Sequence, residues 1–242
     1  MKAIVQERYG SPDVLELREI DRPNVEDDEV LVRVRAASVH ADVWHAVHGV
    51  PYVLRIMGSG LRAPKHHVPG TDLAGQVESV GRNVTRFRPG DEVFGQTLTA
   101  NLWRNGGAYA EYAAVPEARL ELKPDLLTFE QAGAVPTSGS LAVQAVRDEG
   151  RTRSGQSVLI NGAGGAVGTF AVQLAKAYGA EVTGVDASGK LEMLRSIGAD
   201  RVVDYTHEDF TQSGERYDLI IDIAGTRPWS ASRRALSPEG TY

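Results

Sequence analysis

The chain has 242 residues, of which 42% are hydrophobic and 24% charged, the make-up of a globular protein with room for two modest cores. Its formal net charge of −6, without a lysine-rich block, disfavours a nucleic-acid partner. No apolar run reaches the ~20 residues of a membrane span, the charged start MKAIVQERYG lacks a signal peptide's apolar core, and cysteine is absent, so a cytoplasmic protein without disulfides or thiolate-bound zinc is expected.

Residues 1–125 read as β-rich. Lys2 to Gln6, Val14 to Arg18 and Glu29 to Ser38 are strand-like, and in the third Val30, Val32, Val34 and Ala36 alternate with Leu31, Arg33 and Arg35, the period of a half-buried antiparallel strand. Gly10-Ser11-Pro12-Asp13, Asp21-Arg22-Pro23-Asn24 and Arg88-Pro89-Gly90-Asp91 mark turns. Further strands are expected at Leu73 to Val80, Glu92 to Phe94, Gly107 to Val115 and Leu120 to Lys123, which together predict a small barrel or sandwich. Between them, Val39 to His67 reads as one long irregular stretch holding five of the six histidines, with Trp44 and Tyr52; loops of that length form lids or binding walls. His40 and Asp72 offer a nitrogen and an oxygen ligand, but the spacings to His45 and His48 match no zinc motif, and no metal is expected.

From Thr128 helical patterns resume, over residues 130–135 and Ser138 to Val146, and residues 126–242 read as a second domain. Its centre is SVLINGAGGAVGTFAVQLAKAYGAEVTGVD, Ser157 to Asp186. Val158 to Ile160 form a buried strand, Gly162, Gly165 and Gly168 a turn, and Val167, Phe170, Ala171, Leu174, Ala175 and Tyr178 recur at helical intervals up to Gly179. Unpaired amides at a helix start hold an anion, and glycines let a pyrophosphate approach the main chain. Gly168 is followed by Thr169 and Phe170 rather than by the Lys-Ser/Thr of a nucleotide-hydrolysing loop, and Asp186 ends the second strand where a dinucleotide fold places its ribose-binding acid. Gly162, Ala163, Gly164, Gly165, Ala166, Val167, Gly168 and Asp186 are therefore the candidate cofactor residues. A helix to Gly198, strands at Arg201 to Asp204 and Tyr217 to Ala224, and a helix at Pro228 to Leu236 follow. A fifth strand is expected only to begin at Gly240, leaving a parallel sheet that is incomplete at Tyr242.

With VPGTDLAGQVESVG, RPGDEVFG, GGAYAEYAAVP, NGAGGAVGTFAVQLAK and IGADRVVDY in this order, the chain resembles the medium-chain dehydrogenase/reductase superfamily, and within it the zinc-independent quinone oxidoreductases. The resemblance implies a GroES-like β-barrel domain followed by a Rossmann-type parallel α/β domain that is C-terminally truncated. Where the zinc enzymes of the superfamily carry ligands, this chain has His40, Gly70-Thr71-Asp72 and Val135-Pro136-Thr137, and a short Gln96 to Gly107 connection replaces their structural zinc lobe. The expected reaction is hydride transfer from a reduced nicotinamide to a quinone or α,β-unsaturated carbonyl held between the domains, with His40 and Tyr52 as hydrogen-bond donors to the acceptor. Asp186 favours NADH, whereas Ser188, Lys190 and Tyr205 fall where similar quinone reductases bind the 2′-phosphate of NADPH; NADPH is preferred, with NADH as the alternative. A homodimer without nucleic-acid or membrane partners is expected. A zinc-type alcohol dehydrogenase and a non-catalytic nucleotide-binding protein stay open as rival readings.

Overall fold

The computed structural model describes residues 1–98 and 106–242, and all of their side chains but those of residues 57 and 58. The chain divides into two compact units, Met1–Thr137 and Ser138–Tyr242. The connection expected from Gln96 to Gly107 lies for the most part outside the described residues.

In the first unit β1 (Lys2–Gln6) and β2 (Leu15–Glu19) form an antiparallel pair. Strands β3 (Glu29–Ala37), β4 (Asp72–Val80), β5 (Glu92–Gln96), β6 (Tyr112–Pro116) and β7 (Leu120–Leu122) form an antiparallel sheet in the order β6-β3-β4-β5-β7. The alternation read in β3 holds for Val30 and Val32, which are buried, and for Arg33 and Arg35, which are exposed; Leu31 departs from it and is buried as well. Val30, Val32, Leu73, Val77, Val93, Val115 and Leu120 make the core with Phe87. The strand expected from Gly107 is shorter, starting at Tyr112, with one isolated bridge from Ala110 to Ala3 before it.

The stretch from Val39 to His67 is not irregular throughout. Helix α1 (Ala41–His48) buries Val43, Ala46 and Val47, and ends at Gly49, whose φ of +63° lets its N–H reach the His45 carbonyl. A second helical segment of π type spans Arg55–Ser59. The three buried apolar positions recur at i, i+3 and i+4, a period masked in the sequence by the interleaved histidines. Helix α2 (Phe129–Gly133), opened by a Thr128 and Gln131 capping box, packs on β3, β4 and β5. Helix α3 (Pro136–Val143) follows at the junction of the units.

The second unit is a parallel sheet, β10-β9-β8-β11-β12, built from β8 (Ser157–Asn161), β9 (Glu181–Asp186), β10 (Arg201–Asp204), β11 (Tyr217–Asp222) and β12 (Leu236–Thr241). The fifth strand thus begins at Leu236, ahead of Gly240, and the expected helix before it is confined to α6 (Trp229–Ser232) and one 3-10 turn. Helices α4 (Ala166–Ala177) and α5 (Leu191–Ser196) pack on the sheet, and Val158, Ile160, Ala171, Val172, Val182 and Leu194 are fully buried among them. The chain runs outward from β8 through β9 to β10 and then returns to lay β11 on the other side of β8. That reversal opens a crevice at the strands' C-terminal ends.

The turn from β8 into α4 is closed by main chain against main chain. A Cβ on Gly168 would lie 2.3 Å from the Gly162 carbonyl oxygen and 2.6 Å from Ala163 Cα. Gly168→Ala is expected to cost about 2 kcal/mol, the scale of overpacking a core, whereas Gly189→Ala, with nothing within 4 Å of its added carbon, stays within ~0.5 kcal/mol of wild type. Chemical denaturation of the two variants measures this, and equal midpoints would contradict the packing account.

Candidate active site

In the second unit the turn residues spend their own amides internally. Gly162 and Ala163 N–H donate to the Val185 carbonyl at 3.0 and 3.1 Å, and Gly165 N–H to the Gly162 carbonyl at 3.1 Å. Gly164 N–H donates to Asp186 Oδ2 at 2.8 Å. The first amide to reach back along the helix is that of Thr169, to the Gly165 carbonyl at 3.0 Å. The first-turn amides of Ala166, Val167 and Gly168 thus have no intrahelical acceptor and, with the positive end of a 12-residue helix, form an anion-ready surface.

Beside it a cavity of about 440 Å³ sits at the C-terminal ends of β8, β9, β10 and β11, lined by Gly162, Gly165, Asp186, Lys190 and Tyr205 among others. Asp186 is buried and also accepts from Ala187 N–H at 2.8 Å, while Lys190 Nζ stands 3.3 Å from its Oδ1. Ser188 Oγ donates to Asp204, whose carboxyl is held down at about 2 by that bond and those from Thr206. Tyr205 is half exposed at the cavity edge. Of the sequence-picked nucleotide residues, Gly162, Gly165, Asp186, Lys190 and Tyr205 line this crevice, while Lys190 and Ser188 are tied to carboxylates. Sequence reasoning missed Asn161, Ile223, Ala224, Thr226 and Arg227, which with Val185 of β9 complete the lining. Their signal was positional: they end β8 or follow β11, on either side of the reversal in strand order. Asn161 Nδ2 donates to Asp222 Oδ1 at 2.8 Å, cross-linking those two strand ends.

In the first unit Asp72, 1% exposed, is the hub of a polar cluster. Its Oδ2 accepts from Thr137 N–H at 2.7 Å, and its Oδ1 from Thr137 Oγ1 at 2.7 Å and Thr71 Oγ1 at 3.1 Å. Gln96 Nε2 donates to Thr137 Oγ1 at 2.7 Å. His40, at the start of α1 with only 6% of its side chain exposed, joins through Nε2 to Thr71 Oγ1 at 2.8 Å. Gly70, with φ +84°, lets the Tyr109 ring lie where a Cβ would be, and Tyr109 Oη donates to the Ser38 carbonyl at 2.9 Å. Tyr52 is elsewhere: 69% exposed, with the Arg55 guanidinium 4.6 Å above its ring. His45 and His48 are bonded to main-chain carbonyls of Val50 and Trp44, and His48 stacks on Trp44.

Both units have counterparts among known proteins. A model of the alcohol dehydrogenase GroES-like domain matches residues 26–125, and one described as zinc-binding dehydrogenase matches 166–242. A quinone oxidoreductase of Pseudomonas aeruginosa is 34% identical over 239 residues, covering 96% of this chain and 69% of that protein. The chain belongs to the medium-chain dehydrogenase/reductase superfamily and has quinone oxidoreductases among its relatives. A chloroplastic NADPH-dependent alkenal/one oxidoreductase of Arabidopsis thaliana is 39% identical over 235 residues, 93% of this chain, and this chain spans 58% of that relative's length. The structure of the quinone oxidoreductase from Coxiella burnetii superposes with a TM-score of 0.89 at 30% identity, covering 99% of this chain and 74% of that one.

The description of the second family model names zinc, and the donors around His40 do not fit that ion. The sequence has no thiolate, the two threonine hydroxyls give their hydrogens to Asp72, and both oxygens of that carboxylate are already occupied by those bonds and one amide. Among the described residues no three His, Cys, Asp or Glu side chains converge for a metal.

Burial, and then the neighbouring Asp72 charge, push the Tyr109 phenol up to about 12. A phenol of the unfolded chain ionises near 10, so the stability owed to the neutral Tyr109 is complete below about pH 10 and is lost as pH rises towards 12. Melting temperatures of wild type and Tyr109→Phe across this range are expected to converge as pH rises; a constant gap would contradict the burial of that hydroxyl.

Proposed function

We propose that residues 1–125 are the substrate domain and residues 126–242 the nucleotide domain of a metal-independent oxidoreductase that passes hydride from NADPH to a quinone or an α,β-unsaturated carbonyl. The observation that carries the reading is the set of first-turn amides of α4 beside the crevice at the reversal of strand order. The quinone and NADPH-dependent alkenal/one oxidoreductases among the relatives supply the substrate class and the cofactor. The bound nicotinamide supplies the hydride. The residues from Gly162 to Gly168 receive the pyrophosphate, and Ser188, Lys190 and Tyr205 receive the 2′-phosphate.

A conjugated acceptor suits the donors present in the first unit. Deprotonating a simple alcohol takes the several kcal/mol that a Lewis acid provides, and the cluster at Asp72 offers no ligand set for one. A quinone or enone accepts hydride readily, so orientation and a donor to the developing oxyanion suffice. His40 and Tyr52 are the proposed donors, His40 the better supported because a hydrogen bond to Thr71 orients its ring. The same reading includes a homodimer and a cytoplasmic location. Among the described residues no helix is long and apolar enough to cross a membrane.

One observation favours NADH instead: Asp186 and Asp204 hold Lys190 and Ser188, two of the three donors that a 2′-phosphate would meet. Steady-state rates with NADPH and NADH against a panel of quinones and enones test both versions. Activity with either cofactor supports the proposal, and nucleotide binding with no turnover of any acceptor contradicts it. Asp186→Ala is expected to raise the kcat/KM ratio of NADPH over NADH about tenfold, or ~1.4 kcal/mol. An unchanged ratio would mean that the carboxylate does not face the phosphate.

A further inference from the structure

We propose that Thr71 and Asp72 are positioning residues that lock His40 as its Nε2–H tautomer, turning Nδ1 into the nitrogen that hands a proton to the acceptor's oxygen; the last step rests on the reduction proposed above. The direction of each bond in the buried chain fixes the tautomer. Thr71 has a single hydroxyl hydrogen, and a fully buried carboxylate, Asp72 Oδ1 at 3.1 Å, is a stronger acceptor for it than a neutral imidazole. With that hydrogen committed, Thr71 Oγ1 can only accept, so the 2.8 Å contact to His40 must be donated by Nε2–H. An Nε2 lone pair in its place would face the Asp72 charge at 3.7 Å, whereas an N–H there is attracted to it.

Asp72 is held in turn. Thr137 supplies an amide to one oxygen and a hydroxyl to the other; the carboxylate can only accept, so the Thr137 hydroxyl donates to it while its oxygen accepts from Gln96 Nε2. The donated hydrogens thus converge on Asp72 from both sides, from Gln96 through Thr137 and from His40 through Thr71. The arrangement resembles in logic the carboxylate that sets a catalytic imidazole's tautomer, here with a hydroxyl interposed. On the other side of the ring Nδ1 has, among the described residues, no hydrogen-bond partner, with Asp42 Oδ2 at 3.9 Å beyond hydrogen-bond distance. When hydride adds to the acceptor's conjugated carbon, electron density moves to the oxygen; the Nδ1 lone pair takes a proton from solvent and passes it to that oxygen, so the ring begins and ends in its neutral form with Nε2–H on Thr71.

The test needs no substrate in its first arm. In Asp72→Asn the amide oxygen stays opposite Thr137 N–H, which puts the NH2 group at the former Oδ1; it then donates to Thr71, whose own hydrogen turns to His40 Nε2 and drives the ring to its Nδ1–H tautomer. Long-range ¹H–¹⁵N spectra of the full chain, with the His40 signals assigned from His40→Asn, are expected to show Nε2–H in wild type and Nδ1–H in Asp72→Asn. Thr71→Val, which keeps the shape and removes the hydroxyl, is expected to give a mixture of the two and covers the case in which Asp72→Asn does not fold. In the second arm both variants are expected to lose tenfold or more in kcat with KM within about twofold, a split that a merely structural role would not produce. A wild-type Nδ1–H tautomer, or variants that retain the wild-type tautomer, would overturn the proposal. If wild type turns over no acceptor, the reduction fails while the tautomer result still decides the positioning.

Discussion

The contact on which the second unit depends is that of Gly168 with the backbone of Gly162 and Ala163. Because no side chain separates them, α4 can begin directly above the end of β8. The helix's first-turn amides then open onto the C-terminal edge of the sheet instead of being capped by the chain itself. Everything that defines the crevice follows from this start. Asp186 ties the far side of the turn to β9 through Gly164 N–H, and Asn161 ties β8 to β11 through Asp222. A bulkier residue at 168 would push the helix off the sheet, and the anion-ready surface with it.

The first unit is organised around a different constraint, a buried carboxylate that must be satisfied. Asp72 can sit at 1% exposure because Thr71 and Thr137 surround it with two hydroxyls and an amide, and these donors place His40 as a consequence. In a low-dielectric setting such a network is costly to break at any one member. The His40 ring, at the start of α1, is thereby tied to the carboxylate at the start of β4. The same network consumes the oxygen ligands a metal would require, so the poor fit to a metal and the placement of the histidine come from one set of hydrogen bonds.

Much of this was legible in the sequence where one residue has one consequence. The glycine spacing at 162, 165 and 168, the apolar strand before it and Asp186 after it led directly to the β8-α4-β9 unit, since left-handed or side-chain-free positions admit few alternatives. His40, Thr71, Asp72 and Thr137 could be named one by one from the family resemblance, but not joined, because a network of hydroxyl hydrogens depends on approach in space. Helix α1 was hidden by polar residues that face outward between Val43, Ala46 and Val47. Ile223, Ala224, Thr226 and Arg227 carry no motif of their own and enter the site only through strand order. Lys190 and Ser188 were legible as donors, yet their pairing with Asp186 and Asp204 was not.

The claim on which the account turns is that the start of α4 receives a dinucleotide. Amide ¹H–¹⁵N spectra recorded while NADP⁺ is titrated into the ¹⁵N-labelled chain test it most directly. Saturable shifts concentrated at Ala166, Val167 and Gly168, with smaller ones at Ile223 and Ala224, are the expected result. If those amides stay in place at millimolar nucleotide while others move, the crevice is not the cofactor site and the account fails.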